Sequence, residues 1–475
     1  MRAPMHLLTR ASLALLSAVV VTAACGSDGD ARDAGVDAGP RDSGPMDSGP
    51  RDSGPVDTGP PPPVDAGTPT VVSVRASSAG HACALLSTGR VRCWGLNDNA
   101  QVGRTAASSS GACRVQSAGR PLDLGCERQA FEVPGIEDAV EIALGNGTTC
   151  AVRRDRSLWC WGSNEAGQLG QGQGSITPTA TPTRVTLPAV RHVAMGAFHV
   201  CAALMDGTVR CWGSNKFSQT GVAARATTTR CDEGDGTLSP CTPSPHAIAD
   251  LTGVSHVALG RNHSCALLTS GGVRCWGLND SAQLGNGEVE DDANMHPTPV
   301  AAVGLTDAVE LAAGGSHNCA RRRDGRVMCW GWGGFGQLLG AATTTCTGRS
   351  GPFDCARAPA AVPESAGAHG IAAGRYHGCM ILADHTVRCA GRGDNGQLGV
   401  AVTGRCAFSL DSVLCSRTLV TPPLEATEMV SVGDYHSCAL TRAGQTRCWG
   451  WNAYGQLGDG TTQDRTSPVA VQNLP

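Results

Sequence analysis

Lysine is nearly missing from this 475-residue chain: of 37 basic residues, only Lys216 is not arginine. With 41 acidic residues the formal net charge is −4, which excludes an electrostatically driven nucleic-acid binder. Aromatic residues are scarce at 4%, and half of them are Trp, a skew that points to a repeated Trp motif. Long apolar runs are missing as well. The run Ala11–Val21 is about eleven residues long, against the ~20 that a membrane-spanning helix needs. Among the 23 cysteines there is no CxxC pair, which points to an oxidising compartment and disulfides instead of zinc. What is plentiful is Gly, at 63, and Pro, at 27, which leaves little room for long helices. A hydrophobic fraction of 41% still excludes wholesale disorder.

Residues 1–25 read as an export signal, with Arg2 and Arg10 ahead of the short apolar run. The end of it, TAAC at Thr22–Cys25, resembles the lipobox of bacterial lipoproteins, whose Cys is diacylated and becomes the mature N-terminus. Thr22 departs from that pattern, which has Leu, Val or Ile there, so ordinary cleavage after Ala24 is the alternative. Parity favours lipidation: the other 22 cysteines are even in number, and Cys25 would otherwise be an odd thiol. By the sorting rule of such lipoproteins, Gly26 implies a lipid-anchored outer-membrane protein, with the cell surface or secretion as alternatives.

Residues 26–70 repeat a refrain of Asp, a small residue, Gly and Pro, with nine Asp, three Arg and almost nothing apolar. Such a stretch cannot offset its chain entropy and is expected to be a disordered tether. No fixed-turn ligand set supports calcium binding there, and its Ser and Thr beside Pro are candidate O-glycan acceptors. Removing both segments leaves residues 71–475 neutral, with 32 basic and 32 acidic residues.

That body is one sentence written seven times. The best-kept copy is HSCALLTSGGVRCWGLNDSAQLG at His263–Gly285, and the others start at His81, Thr148, His199, His317, His377 and His436. Their first cysteines lie 67, 51, 64, 54, 60 and 59 residues apart, the period of a solenoid or propeller. Each copy alternates, meets a Gly-rich polar turn and alternates again, which predicts a β-hairpin. A hairpin with its turn midway sets cysteines ten apart opposite one another, within disulfide reach. The predicted pairs are Cys83–Cys93, Cys150–Cys160, Cys201–Cys211, Cys265–Cys275, Cys319–Cys329, Cys379–Cys389 and Cys438–Cys448. Units 1, 3, 5 and 6 also carry insertions with their own pairs, Cys113–Cys126, Cys231–Cys241, Cys346–Cys355 and Cys406–Cys415.

The motif resembles the RCC1-type repeat: His-x-x-Ala-Leu, then Gly-x-Val-x-x-Trp-Gly-x-Asn-x-x-Gly-Gln-Leu-Gly. Trp-Gly stands at Trp94, Trp161, Trp212, Trp276, Trp330 and Trp449, with Ala390 in the sixth unit; the His is replaced once, by Thr148. The resemblance covers residues 71–475 and implies an all-β fold, a seven-bladed β-propeller of four-stranded antiparallel blades. The two chain ends match two parts of one inter-unit segment, so a blade completed jointly by both termini is expected to clasp the ring. The repeated His residues are expected to be structural, each bonded to a neighbouring backbone group. Sevenfold placement spreads them around a circle, so no metal site is expected.

No nucleophile elbow, phosphate loop or zinc motif is present, and no cofactor is implied. The best reading is a non-catalytic, envelope-anchored monomer that binds an extracytoplasmic protein or glycan through the pinned insertions, which share one place in the repeat and so one face. Guanine-nucleotide exchange, the activity of the family's eukaryotic founder, is the alternative. A hydrolase or lyase comes third and would need acids clustered at the central channel.

Overall fold

The ten-residue cysteine spacing becomes a strand pair in every unit of the computed structural model, which describes residues 68–475 apart from 118–119, 233–236, 291–294, 349–350 and 409–410. The signal, Cys25 and the tether as far as residue 67 lie outside the described residues. Cys201 faces Cys211 directly across its hairpin, and the turn between them follows from its residues. Asp206 Oδ1 accepts the Thr208 N–H at 2.9 Å, and Gly207 takes a φ of +80°. All seven hairpin pairs are disulfide-bonded, with Cα atoms 4.0–4.1 Å apart. On the loop-closure model each contributes roughly 2–3 kcal/mol.

Each unit supplies one antiparallel sheet, a blade, built from the ring's axis outwards. The innermost strands are Val71–Ala76, Ala139–Leu144, Val190–Met195, Val254–Leu259, Ala308–Ala313, Gly370–Ala373 and Thr427–Val432. The two hairpin strands follow, then an outer strand. Neighbouring blades pack face to face, and the seventh packs on the first. The fold is a seven-bladed propeller; among the described residues the only helices are two three-residue 3-10 turns.

The four-stranded antiparallel blade is present in all seven units, and among the described residues the insertions of blades 1, 3, 5 and 6 add a fifth strand at the outer edge. There the insertion forms a β-ribbon: in blade 1, Gly111–Ser117 pairs with the first half of the long outer strand Arg120–Glu132. Its disulfide, Cys113–Cys126, is diagonal instead of directly opposed, as are the other three, and the Cα separation is accordingly 5.8–5.9 Å. One expectation, about closure, is corrected. No blade is shared by the two termini: residues 427–470 complete blade 7 and residues 71–132 complete blade 1. Every unit begins with its own inner strand, so the chain ends fall between blades. The seam is held by packing and by bonds across it: Ala76 N–H to Ser431 Oγ at 2.9 Å, and Ala130 N–H to the Gln472 carbonyl at 3.2 Å.

The repeated residues do their work between blades. The six Trp side chains are fully buried. Each indole N–H donates to the carbonyl of the Gly-Gln-Leu-Gly glutamine in the preceding blade, at 2.8–3.1 Å, as Trp161 does to Gln101. The histidines reach the other way, and to side chains instead of backbone. His81, His199, His263 and His377 place Nε2 2.7–3.0 Å from Thr149, Ser264, Asn318 and Ser437 of the next blade. Those partners in turn donate to the same glutamine carbonyls, at 2.7–2.9 Å. A hydroxyl has one proton; with it given to Gln101, Thr149 accepts, so His81 carries a proton on Nε2, and burial of Nδ1 without a partner keeps the ring neutral.

Candidate functional site

Nearest the axis, six glycines form a constriction, Gly145, Gly196, Gly260, Gly314, Gly374 and Gly433. A Cβ on Gly374 would collide with the carbonyl oxygen of Gly433, so the blades close this tightly only because no side chain intervenes. The next residue along forms the rim of the mouth: Asn146, Ala197, Arg261, Gly315, Arg375 and Asp434. The ribbons rise on this same side, because they extend the blades beyond the ends of the third strands.

One sector of this face concentrates the aromatic residues that the repeat does not use. Trp332 and Phe335 of blade 5, Tyr376 of blade 6, and Tyr435, Trp451 and Tyr454 of blade 7 form a continuous arc of ring contacts. Their centroids lie 4.8–6.3 Å apart, mostly edge to face. All three tyrosines of the chain are in it. Guanidinium groups cover the rings: Arg375 lies 4.7 Å from the Tyr376 centroid, and Arg392 lies 5.4 and 5.3 Å from those of Tyr376 and Tyr435. Arg375 pairs with Asp434 at 3.3 Å, and Arg392 grips Asp394 with two contacts of 2.6 Å. Burial and the neighbouring Tyr376 push the Tyr435 hydroxyl up to about 12, so it stays a protonated donor at neutral pH.

Two ribbons flank the arc. The blade-6 disulfide Cys406–Cys415 packs on Phe335 and Tyr376, and the blade-1 disulfide Cys113–Cys126 packs with Tyr454 and Trp451. Blade 7 raises no ribbon between them. Trp332, Tyr435 and Trp451 are half-buried, so the floor of this gap keeps part of each ring accessible. The other two ribbons contribute less. Cys346–Cys355 sits beside the arc, because Trp332 pairs with Cys355 across the strands, whereas Cys231 packs near Gly174 of blade 2, on another sector.

The pinned insertions were legible from sequence, but the aromatic arc was not singled out. Its signal was available: Trp332 and Trp451 follow a Trp-Gly, and Tyr376 and Tyr435 each precede a repeat histidine, a place that elsewhere holds an aromatic only at Phe198 of unit 3.

Acids do stand on the inner strands. Glu141 accepts the Val193 N–H of the next blade and lies 3.3 Å from His192. Glu310 accepts the Ile371 N–H at 3.2 Å and the Arg321 Nε–H at 2.7 Å. Burial pushes Glu141 up to about 7 and His192 down to about 4. Each carboxylate is thus engaged in joining one blade to the next, an arrangement that accounts for both without acid–base chemistry. Among the described residues no group of three or more His, Cys, Asp or Glu is disposed to hold a metal ion.

An all-β ring of seven such hairpin units defines a seven-bladed β-propeller. The RCC1-like domain matches residues 20–350, and RCC1 repeats match residues 369–397, 430–456 and 444–475. This chain belongs to the RCC1-like family. It is 29% identical over 343 residues to the ultraviolet-B receptor UVR8 of Arabidopsis thaliana, covering 70% of this chain and 69% of that one. It is 27% identical over 417 residues to the human E3 ubiquitin-protein ligase HERC2, covering 84% of this chain but 8% of the ligase. Among solved structures, human WBSCR16 superposes with a TM-score of 0.64 at 21% identity, covering 81% of this chain and 94% of that one. Yeast RCC1 (Prp20), in complex with Kap60, gives 0.63 at 20% identity, covering 80% and 83%.

Proposed function

We propose that this protein is a non-catalytic binding scaffold of the cell envelope, whose partner is an extracytoplasmic protein held in the gap over blade 7. The observation that carries this reading is the arc itself. Tyr, Trp and Arg dominate the binding energy of protein interfaces, and here they collect between two ribbons that a disulfide each pins, which lowers the cost of ordering them around a partner. Within the family, solved structures describe yeast members bound to Kap60 or binding Gsp1p and histones, so protein recognition is within the range of this fold.

Crosslinking on whole cells tests the reading. Wild-type protein is expected to capture a discrete partner, and Tyr435→Ala with Trp451→Ala is expected to reduce capture at least tenfold while the melting temperature holds. The ring scaffold does not depend on these half-buried rings, whereas Trp276→Ala would lose roughly 3–5 kcal/mol of stability. Capture that persists in the well-folded double variant moves the site elsewhere. A nucleotide-release assay separates this reading from guanine-nucleotide exchange.

Anchoring is a separate proposal, resting on the TAAC signal end and cysteine parity. A fatty-acid probe is expected to label the wild type and not Cys25→Ala, which should pass into the soluble fraction. Equal release of both would remove the anchor from the account.

A further inference from the structure

The charges at the channel mouth point to one chemistry that the partner must supply. Of the six rim positions after the constriction glycines, those of blades 4, 6 and 7 hold Arg261, Arg375 and Asp434. Arg375 has Asp434 as its partner. Arg261 has none: its backbone N–H donates to the Gly315 carbonyl, and its guanidinium is joined to no described residue by a hydrogen bond or an ion pair. It is nonetheless half-buried, bonded through its backbone to Gly315, which lies against Arg375, and the charges of Arg375 in blade 6 and Asp434 in blade 7 act on it. It can reach them because the intervening rim residue is Gly315, which has no side chain to stand in the way. Arg392 adds a third guanidinium over the same two tyrosines, already matched by Asp394.

Three arginines against two aspartates leave one positive charge here, on a half-buried guanidinium that pairs with no carboxylate and is separated from Arg375 only by Gly315. A guanidinium so placed gains most from a carboxylate, which it can take bidentately. The rings of Tyr376, Tyr435 and Trp451 in the adjoining arc favour a planar or apolar neighbour on the same segment. We propose that the mouth receives an Asp or Glu side chain between Arg261 and Arg375, from a protein segment in which that acid is flanked by an aromatic or apolar residue seated on the arc. This inference rests on the gap over blade 7 being the binding site, and it adds what the partner must carry.

The test uses the full chain and a displayed library of random 12-residue peptides. Peptides retained by the wild type are expected to share an acid next to an aromatic or apolar residue, and to lose binding to Tyr435→Ala. Their affinity for Arg261→Gln should fall about tenfold, with a weaker dependence on salt. Changing the peptide's Glu to Gln should cost the same factor on the wild type and nothing further on Arg261→Gln. Because the Arg261 guanidinium holds no bond within the ring, the variant is expected to melt with the wild type, and that is measured alongside. Groove-dependent peptides that lack an acid, or that bind equally with Glu or Gln, overturn the carboxylate assignment and leave the binding site standing. A library that yields no binder sensitive to Tyr435→Ala overturns both.

Discussion

Acidification from about pH 6.5 towards pH 4 is expected to unfold the propeller steeply, through its buried histidines. Burial lowers His81, His199, His317 and His377 to about 3, and His263 and His436 to about 4. Their neighbours agree with this. The Nδ1 atoms of His81, His199, His263 and His377 are buried without a partner, so a second proton there would meet no acceptor. The sign follows from where protons bind. Between pH 6.5 and 4 the unfolded chain carries the imidazolium and the folded chain does not, so stability is present above that window and lost as pH falls through it. Each histidine contributes about 1.4 kcal/mol per pH unit, and six together approach ~8 kcal/mol per unit. Glu141 opposes them, because a carboxyl raised to about 7 favours the folded state as pH falls from 7 towards its ordinary range, and burial raises Asp98, Asp434 and Asp464 in the same sense; His192 and His256, lowered to about 4, add to the six. Denaturant midpoints from pH 7 to pH 4.5 should show this slope, and His81→Asn should reduce it by about one proton. A flat profile over that range would contradict the neutral ring.

The joint between blades 5 and 6 is expected to give the second large effect, as a strong coupling between Leu339 and Ala390. Elsewhere the last glycine of Gly-Gln-Leu-Gly lies against the Trp of the next blade: a Cβ on Gly285 would stand 2.7 Å from the Trp330 ring. Blade 5 has Leu339 in that place, at a φ of +58°, and blade 6 has Ala390 in place of Trp. Both are fully buried in one cluster, and the Leu339 Cδ2 lies 3.5 Å from where a Cβ on Gly378, the cross-strand partner of Ala390, would be. The leucine thus occupies space left by the missing indole, although a left-handed backbone is unfavourable for it by about 1–2 kcal/mol. Ala390→Trp alone should overpack the joint and destabilise the fold by roughly 1–3 kcal/mol or more. Leu339→Gly alone should leave a cavity, and lose about 2 kcal/mol after the relief of backbone strain. The double variant restores the arrangement of the other joints, with the indole free to donate to the Gln337 carbonyl. It should be more stable than either single variant, with a coupling of several kcal/mol in a denaturation cycle. Additive losses would show that the two positions do not share one space.

The same joint leaves His317 with neither ring nitrogen bonded, because the residue that would receive Nε2 is Gly378. His436 likewise faces Ala82 across the seam, and its Nε2 has no partner. These two joints therefore lack a bond that four others have.

Within each hairpin, sequence alone determined the result, although the strand pairing of the insertions was not read from it. Alternation, a turn of Gly and polar residues, and cysteines ten apart are short-range features, and a hairpin brings together residues close in the chain, so Cys265 opposite Cys275 follows from spacing alone. Repetition of that hairpin seven times, with the RCC1-type motif, implied the propeller. Whatever crosses from blade to blade was decided by the tertiary structure. The partner of His81 is 68 residues away, and the unit does not indicate whether that partner is backbone, hydroxyl or nothing. Closure was misread for the same reason: similar terminal segments can complete one blade or end two, and only sheet pairing distinguishes these. The aromatic arc comes from residues between 332 and 454 that meet because the ring carries three successive units around to the first. Its charge draws on Gly315, which adjoins both Arg261 and Arg375 and puts no side chain between them. Local pattern fixes a strand pair because backbone geometry does; a face assembled from several blades depends on packing distances that no local pattern encodes.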